Sequence, residues 1–169
     1  GGGHRRLQLD SVLRYIREER MCIAQPEVIG LPPGTGVAPP SDQGAVAEFL
    51  RGLSTGDEVS CCRLVLDQFL AGSSVAKICD TVVSPAFHRI GDLWRCGDME
   101  IYQERRACET CTRVFHELRR AVGSGPDNGP LAFGATLDGD PYTLAVNMAE
   151  LVLRDSGWRA MSLGHMLPF

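Results

Sequence analysis

With 169 residues, 44% of them hydrophobic and 22% charged, the chain has apolar matter for one ordinary domain or two small ones. A net charge of -4 at pH 7 argues against nucleic-acid binding by the segment as a whole, leaving Arg113, Arg119 and Arg120 as a local basic patch at most. No apolar run reaches about 18 residues, so nothing is expected to span a bilayer.

The opening, Gly1 to Arg6, lacks the apolar stretch of a secretion signal and reads as linker. Residues 10–20 predict a short helix capped by Asp10 or Ser11, with Val12, Leu13, Tyr15 and Ile16 as a modest apolar stripe. Five prolines set among glycines between Pro26 and Pro40 show no periodicity and predict an extended linker over 26–41.

Residues 42–123 predict a four-helix bundle. The first helix (about 42–54) presents Val46, Phe49, Leu50 and Leu53. The second (57–71) presents Val59, Cys62, Val65, Leu66, Phe69 and Leu70 and ends at Gly72. The third (73–95) runs from Val75 to Trp94, with Pro85 expected to bend it. The fourth (99–122) points Ile101, Glu104, Cys108, Cys111, Phe115, Leu118 and Val122 inward. Short connections make neighbours antiparallel.

A second linker, 124–130, ends the helical pattern. Leu131 to Leu137 predicts a buried strand, Pro141 to Ser156 an amphipathic helix and Trp158 to Leu163 a second strand, together one βαβ unit of a doubly wound sheet. Two parallel strands cannot stand alone as an open sheet, so residues 131–169 are expected to be a truncated domain or one completed by partner segments. A further helix is expected to begin near Phe169.

The seven cysteines are odd in number, and Cys62, Cys79, Cys108 and Cys111 fall at core positions, which favours reduced thiols in a cytoplasmic setting over a disulfide framework. Cys108-Glu109-Thr110-Cys111 sits in mid-helix with no second ligand pair, a poor metal or redox motif. His88 and His116 lie on helices and share no ligand spacing. His165, just beyond the second strand, is the imidazole best placed for a pocket at the sheet's carboxyl end.

Two features point to a ligand. Trp94 closes one helix and Glu104 opens the next across the Gly97-Asp98 break, so indole and carboxylate are expected to roof a cavity over a flat, partly polar ligand. A carboxylate on an apolar stripe needs a partner, and Arg95, Arg105 and Arg106 are at hand; a structural ion pair and a ligand contact both remain open for Glu104. In the loop after the first strand, Asp140 and Pro141 suit a helix N-terminus, which explains them as well as a ligand does. No serine, cysteine or lysine stands in a nucleophile's setting, so the chain is not expected to be an enzyme.

The whole resembles the cobalamin-binding module of methionine synthase and of CarH-type light-responsive repressors. The likeness lies in Pro85-Ala-Phe-His-Arg-Ile-Gly-Asp-Leu-Trp94, in Gly97-Asp98, in Leu131-Ala-Phe-Gly-Ala135, in Ser156-Gly-Trp158 and in Leu163-Gly164. Residues 1–25, continuing into Pro26-Glu-Val-Ile-Gly-Leu-Pro-Pro33, resemble the tail that joins a MerR-type DNA-binding domain to such a module. The resemblance implies adenosylcobalamin between bundle and βαβ unit, with Trp94 and Glu104 lining the upper ligand's space and Asp140 and Tyr142 below the ring; Arg105, Val83, Phe87 and His165 are further candidate contacts. It implies a homo-oligomer that light dissociates, and DNA contact only through an upstream domain. Trp94 and Glu104 match the photoreceptor pattern, while its following histidine is Arg105 here. The Asp-x-His-x-x-Gly motif is Asp140-Pro-Tyr142-Thr-Leu-Ala145, so Tyr142 stands where histidine would ligate cobalt. Phenol must lose a proton with a pKa near 10 to bind a metal well, although tyrosinate does hold haem iron, so haem or another tetrapyrrole is a second ligand class. The alternatives are a degenerate interaction module without cofactor and a corrinoid carrier serving a methyltransferase.

Overall fold

The computed structural model describes residues 7–167; the opening read as a linker and the helix expected near Phe169 lie outside them. The first helix, α1 (Leu9–Glu18), begins before the expected caps. Gln8 stands at its N-cap without a side-chain hydrogen bond, and the Asp10 carboxylate accepts from the Ser11 amide at 2.6 Å. An acidic side chain in the first turn still complements the helix dipole. Leu13 is fully buried, and α1 packs on α3 (Glu58–Leu70) and α6 (Ile101–Val122), sharing their core rather than standing apart from it.

The proline-rich stretch is packed as well. Pro26–Ile29 forms a single 3₁₀ turn closed by Gly30, and Leu31 and Thr35 are buried. The Asp67 carboxylate on α3 accepts from the Gly36 amide at 2.6 Å. Prolines removed the periodicity that marks a packed element, yet one apolar anchor and one buried acceptor suffice to hold an irregular segment down.

The central helices follow their caps. The Ser41 hydroxyl accepts from the Gly44 amide (3.4 Å) to start α2 (Asp42–Thr55), and the Asp57 carboxylate accepts from the Ser60 amide (3.0 Å) to start α3. Gly52 lets these helices touch, because a Cβ there would collide with Cys61 Sγ. The third predicted helix is three pieces: α4 (Val75–Ile78), a π turn over Cys79–Val83, and α5 (Ser84–Cys96). Pro85 has no amide to donate to the preceding turn and its ring crowds that turn's carbonyl, and the wider π turn accommodates both defects. Gly97, at φ 80°, ends α5 in the left-handed conformation. Glu100 and Gln103 then form a reciprocal capping box for α6.

On α6 the burial begins only at Ala107, and no residue from Ile101 to Arg106 is buried. Ile101 is exposed rather than inward, because this first stretch of the helix runs past the packed core. That core is continuous from Phe49, Leu53, Val65 and Leu66 through Ile78, Val82 and Ile90 to Cys111, Phe115 and Leu118.

The βαβ unit has the expected order, with β1 (Leu131–Gly134) and β2 (Arg159–Ser162) parallel and paired Ala132 to Ala160 and Phe133 to Met161. Between them α7 spans Leu144–Asp155 and lies on one face of the sheet, over Ala160. It starts three residues later than Pro141, with Thr143 at its N-cap. Asp140 does not cap it. The Asp140 carboxylate accepts from the Tyr142 amide (2.9 Å), which spends the cap on a local turn. The strands are shorter than read, although a single bridge between Leu137 and Leu167 continues the pairing past their ends.

One polar cluster joins the two units. Glu150 on α7 is buried; its Oε1 lies 3.1 Å from Arg119 Nε on α6 and 2.9 Å from Arg154 Nη2 without a well-aligned hydrogen bond, while its Oε2 accepts from the Ser162 amide (3.0 Å). Arg154 in turn donates to the Ala160 and Gly123 carbonyls, both at 3.0 Å. A second junction clamps α1: Arg17 donates to Asp155 (2.9 Å) and to the Ser73 carbonyl (3.0 Å) and stacks over Phe69, while Asp155 also accepts from the Val75 amide (2.8 Å).

Candidate functional site

The β1–α7 loop sets the lower side of the candidate site. Its organiser is Thr136, which sequence reading passed over. The buried Thr136 hydroxyl donates to the Asp140 carbonyl (2.6 Å) and accepts from the Met166 amide (3.1 Å). The Thr136 amide donates to the Gly164 carbonyl (3.2 Å), so the loops leaving both strands are tied together. His165 lies between the two residues that bond Thr136 and is exposed. A threonine at a strand's carboxyl end, followed four residues later by Asp-Pro, was the only local signal of this tie.

The upper side comes from α5 and α6. Trp94, near the end of α5, is 55% exposed, and no hydrogen bond joins it to Glu104 among the described residues. Glu104 is half-buried rather than inward, and its partners are on its own helix: Arg105 Nε at 3.6 Å and the Cys108 thiol at 3.4 Å. Of the other candidate partners, Arg95 pairs with Asp92 (3.1 Å) and Arg106 donates to the Ser54 carbonyl. Burial, together with the Glu104 carboxylate, pushes the Cys108 thiol up to about 12.

The two sides meet at Arg105. Its Nη2 donates to the Tyr142 hydroxyl at 3.3 Å, and its guanidinium carbon sits 5.2 Å from the centre of the Tyr142 ring. The structure therefore brings together Glu104, Arg105, Tyr142 and Asp140 in one chain of contacts. Instead of the roofed cavity expected there, the two sides are joined directly by the long cationic side chain of Arg105. Val83 sits in the helical core, closed off from any ligand, because the π turn faces inward; Phe87 is partly buried against the same core. Two sizeable cavities lie elsewhere, at the junction of α1, α6 and α7. One of about 710 Å³ is lined by His116, Arg119 and Arg120, and one of about 520 Å³ by Arg14, Arg17 and Asp127. None of the predicted site residues lines either.

The side chains that a flat macrocycle would meet are exposed on both sides. Trp94 and Ile101, the latter one turn before Arg105, are exposed above, and Leu137, Tyr142 and Leu167 are exposed on the loop side. The donor set departs from histidine ligation, since the Asp140-x-Tyr142 position offers only a phenol already hydrogen-bonded to Arg105. Among the described residues no cluster of three His, Cys, Asp or Glu side chains is placed to hold a metal ion, and no helix is long and apolar enough to cross a membrane.

Residues 45–119, from α2 to the last turn of α6, match the family model described as the B12 binding domain. The fold is similar to that of the monomethylamine corrinoid protein of Methanosarcina barkeri, with a TM-score of 0.61 at 14% identity, covering 75% of this chain and 60% of that one. None of the curated proteins matches the sequence. The family match supports a cobalamin-binding module, and the structural likeness supports its fold: a helical unit set against a Rossmann-like parallel sheet.

Proposed function

We propose that this chain is the effector-binding portion of a MerR/CarH-like transcriptional regulator. It takes a cobalamin between the exposed surfaces of α5–α6 and the β1–α7 loop and carries no catalysis of its own. The single observation behind this reading is that the helical stretch matching a B12 binding domain meets, through Arg105 and Tyr142, the loop at the carboxyl end of a parallel strand. That end of an open α/β sheet is where such folds bind ligands. Cobalamin, when bound, would supply a cobalt–carbon bond that light can break. Trp94 and Ile101 would cover its upper face, and Tyr142 and Leu137 would meet the lower one without an imidazole from the loop motif.

The sensor reading draws its further support from α1. The residues that resemble a regulator's connecting tail are clamped by Arg17 to Asp155 at the end of α7, so a movement of the βαβ unit reaches the N-terminal helix directly. In the dark, adenosylcobalamin is expected to co-elute with the protein, and illumination to change both the spectrum and the elution volume. Absence of co-eluting colour sinks the reading. A corrinoid carrier for methyl transfer is the second reading, favoured by the likeness to a protein whose name is that of a corrinoid protein. A carrier would bind methylcobalamin and pass its methyl group to a partner enzyme with no change of oligomeric state on illumination.

A further inference from the structure

We propose that Arg105 and Tyr142 form a latch that holds the ligand cleft shut, so that this chain's own side chains compete with the flat ligand; the inference rests on the cobalamin reading above. The contact is built from both sides. Glu104, 3.6 Å from Arg105 Nε, orients the guanidinium from within α6. Asp140, bonded to the Tyr142 amide, and Thr136, bonded to the Asp140 carbonyl, hold the stretch of loop backbone that carries the phenol. A planar ring needs about 3.5–4 Å to the atoms on each face, so its neighbours must stand roughly 7–8 Å apart. Arg105 Nη2 and Tyr142 Oη are 3.3 Å apart. No ring lies between them while the latch is closed.

The latch is also weak enough to open. The Arg105 side chain is 57% exposed and Tyr142 is 54% exposed, so water competes for both groups and the contact lends only modest stability to the closed form. A competing closed state lowers apparent affinity by the fraction of molecules it holds. Removing the latch is therefore expected to raise affinity, the reverse of what loss of two ligand-contacting residues would do.

The test uses the full chain with Arg105→Met, which keeps the aliphatic stem, Tyr142→Phe, which keeps the ring, and the double variant. Adenosylcobalamin affinity is measured in the dark by absorbance after equilibrium dialysis, and amide hydrogen exchange over residues 136–143 is measured without ligand. Roughly fivefold tighter binding in each single variant, no further gain in the double variant, and severalfold faster exchange in the loop are expected. Equal or weaker binding in the variants overturns the latch, because the side chains then hold the ligand or do nothing. If neither the parent chain nor any variant binds, the cobalamin reading fails and takes the latch with it; binding by the parent with no gain in the variants overturns the latch alone.

Discussion

The two phenylalanines Phe115 and Phe133 show how differently the molecule's two units are built. Phe115 on α6 is 1% exposed and surrounded on all sides by the helical core. Phe133 on β1 is 59% exposed, on the sheet face opposite α7, beside Leu131 and its register partner Met161. The helical unit supplies nearly all of the core. The βαβ unit covers one face of its sheet and leaves the other bare, and α7 is fastened to the helices by Leu151, buried in that same core with Leu144, Met148 and Val152 against it, and by the junctions at Glu150 and Asp155.

The contrast breaks first in the core. Phe115→Ala is expected to cost about 3–5 kcal/mol and to lower the urea midpoint of the whole chain, because the helical unit carries both halves. Loss of signal from the βαβ unit alone would refute that dependence. Next comes Glu150→Ala, which leaves the largely buried Arg154 without its carboxylate. About 3 kcal/mol is expected, seen as faster hydrogen exchange across α7 and β2 with protection of Phe49, Val65 and Phe115 retained. Burial already holds the Arg154 guanidinium below its usual pKa, with Arg119 acting in the same direction, so Arg154 is costly to leave without Glu150.

How much of this was legible beforehand depends on how local the determinant is. Apolar spacing and caps lie within a few residues of each other, so α2, α3 and the parallel βαβ order follow from the sequence alone. The packed proline stretch, the fusion of α1 to the core and the Glu150 cluster each need a partner from another element, and no window of sequence contains both halves. Asp140 misled for a related reason: an aspartate before proline suits an Asx turn as well as a helix cap, and here its carboxylate takes the Tyr142 amide. Trp94 and Glu104 were rightly set on one helical corner, but nothing in their spacing told that Glu104 would turn to Arg105 and Cys108. The Arg105–Tyr142 contact joins residues 37 apart, and only the fold brings them together.

A pH titration sharpens the contrast at smaller amplitude. Burial pushes the Cys61 and Cys62 thiols up to about 12 and the Cys79 thiol up to about 11, all three in the helical core. In the unfolded chain they ionise near 9, so between pH 9 and 11 the folded state holds protons that the unfolded state has lost. Stability therefore falls as pH rises through that window, by roughly 1.4 kcal/mol per pH unit for each thiol. Replacing Cys79 with Ala is expected to remove one thiol's share of the slope, measured by urea melts at a series of alkaline pH values. An unchanged slope would mean that Cys79 is not sealed from solvent.

The smallest effect is the most discriminating. Phe133→Thr puts a β-branched residue in place of another good strand former and removes a ring that touches mostly water, so the expected change is within about 0.5 kcal/mol. The same ring deleted at position 115 costs several times more, and the ratio of the two measures how unequal the units are. A cost of about 2 kcal/mol or more at Phe133 would mean that the sheet's bare face is covered in solution. Repeating the melt across a hundredfold range of protein concentration then separates a second copy of the chain from cover within one molecule, because only the former makes the midpoint rise with concentration.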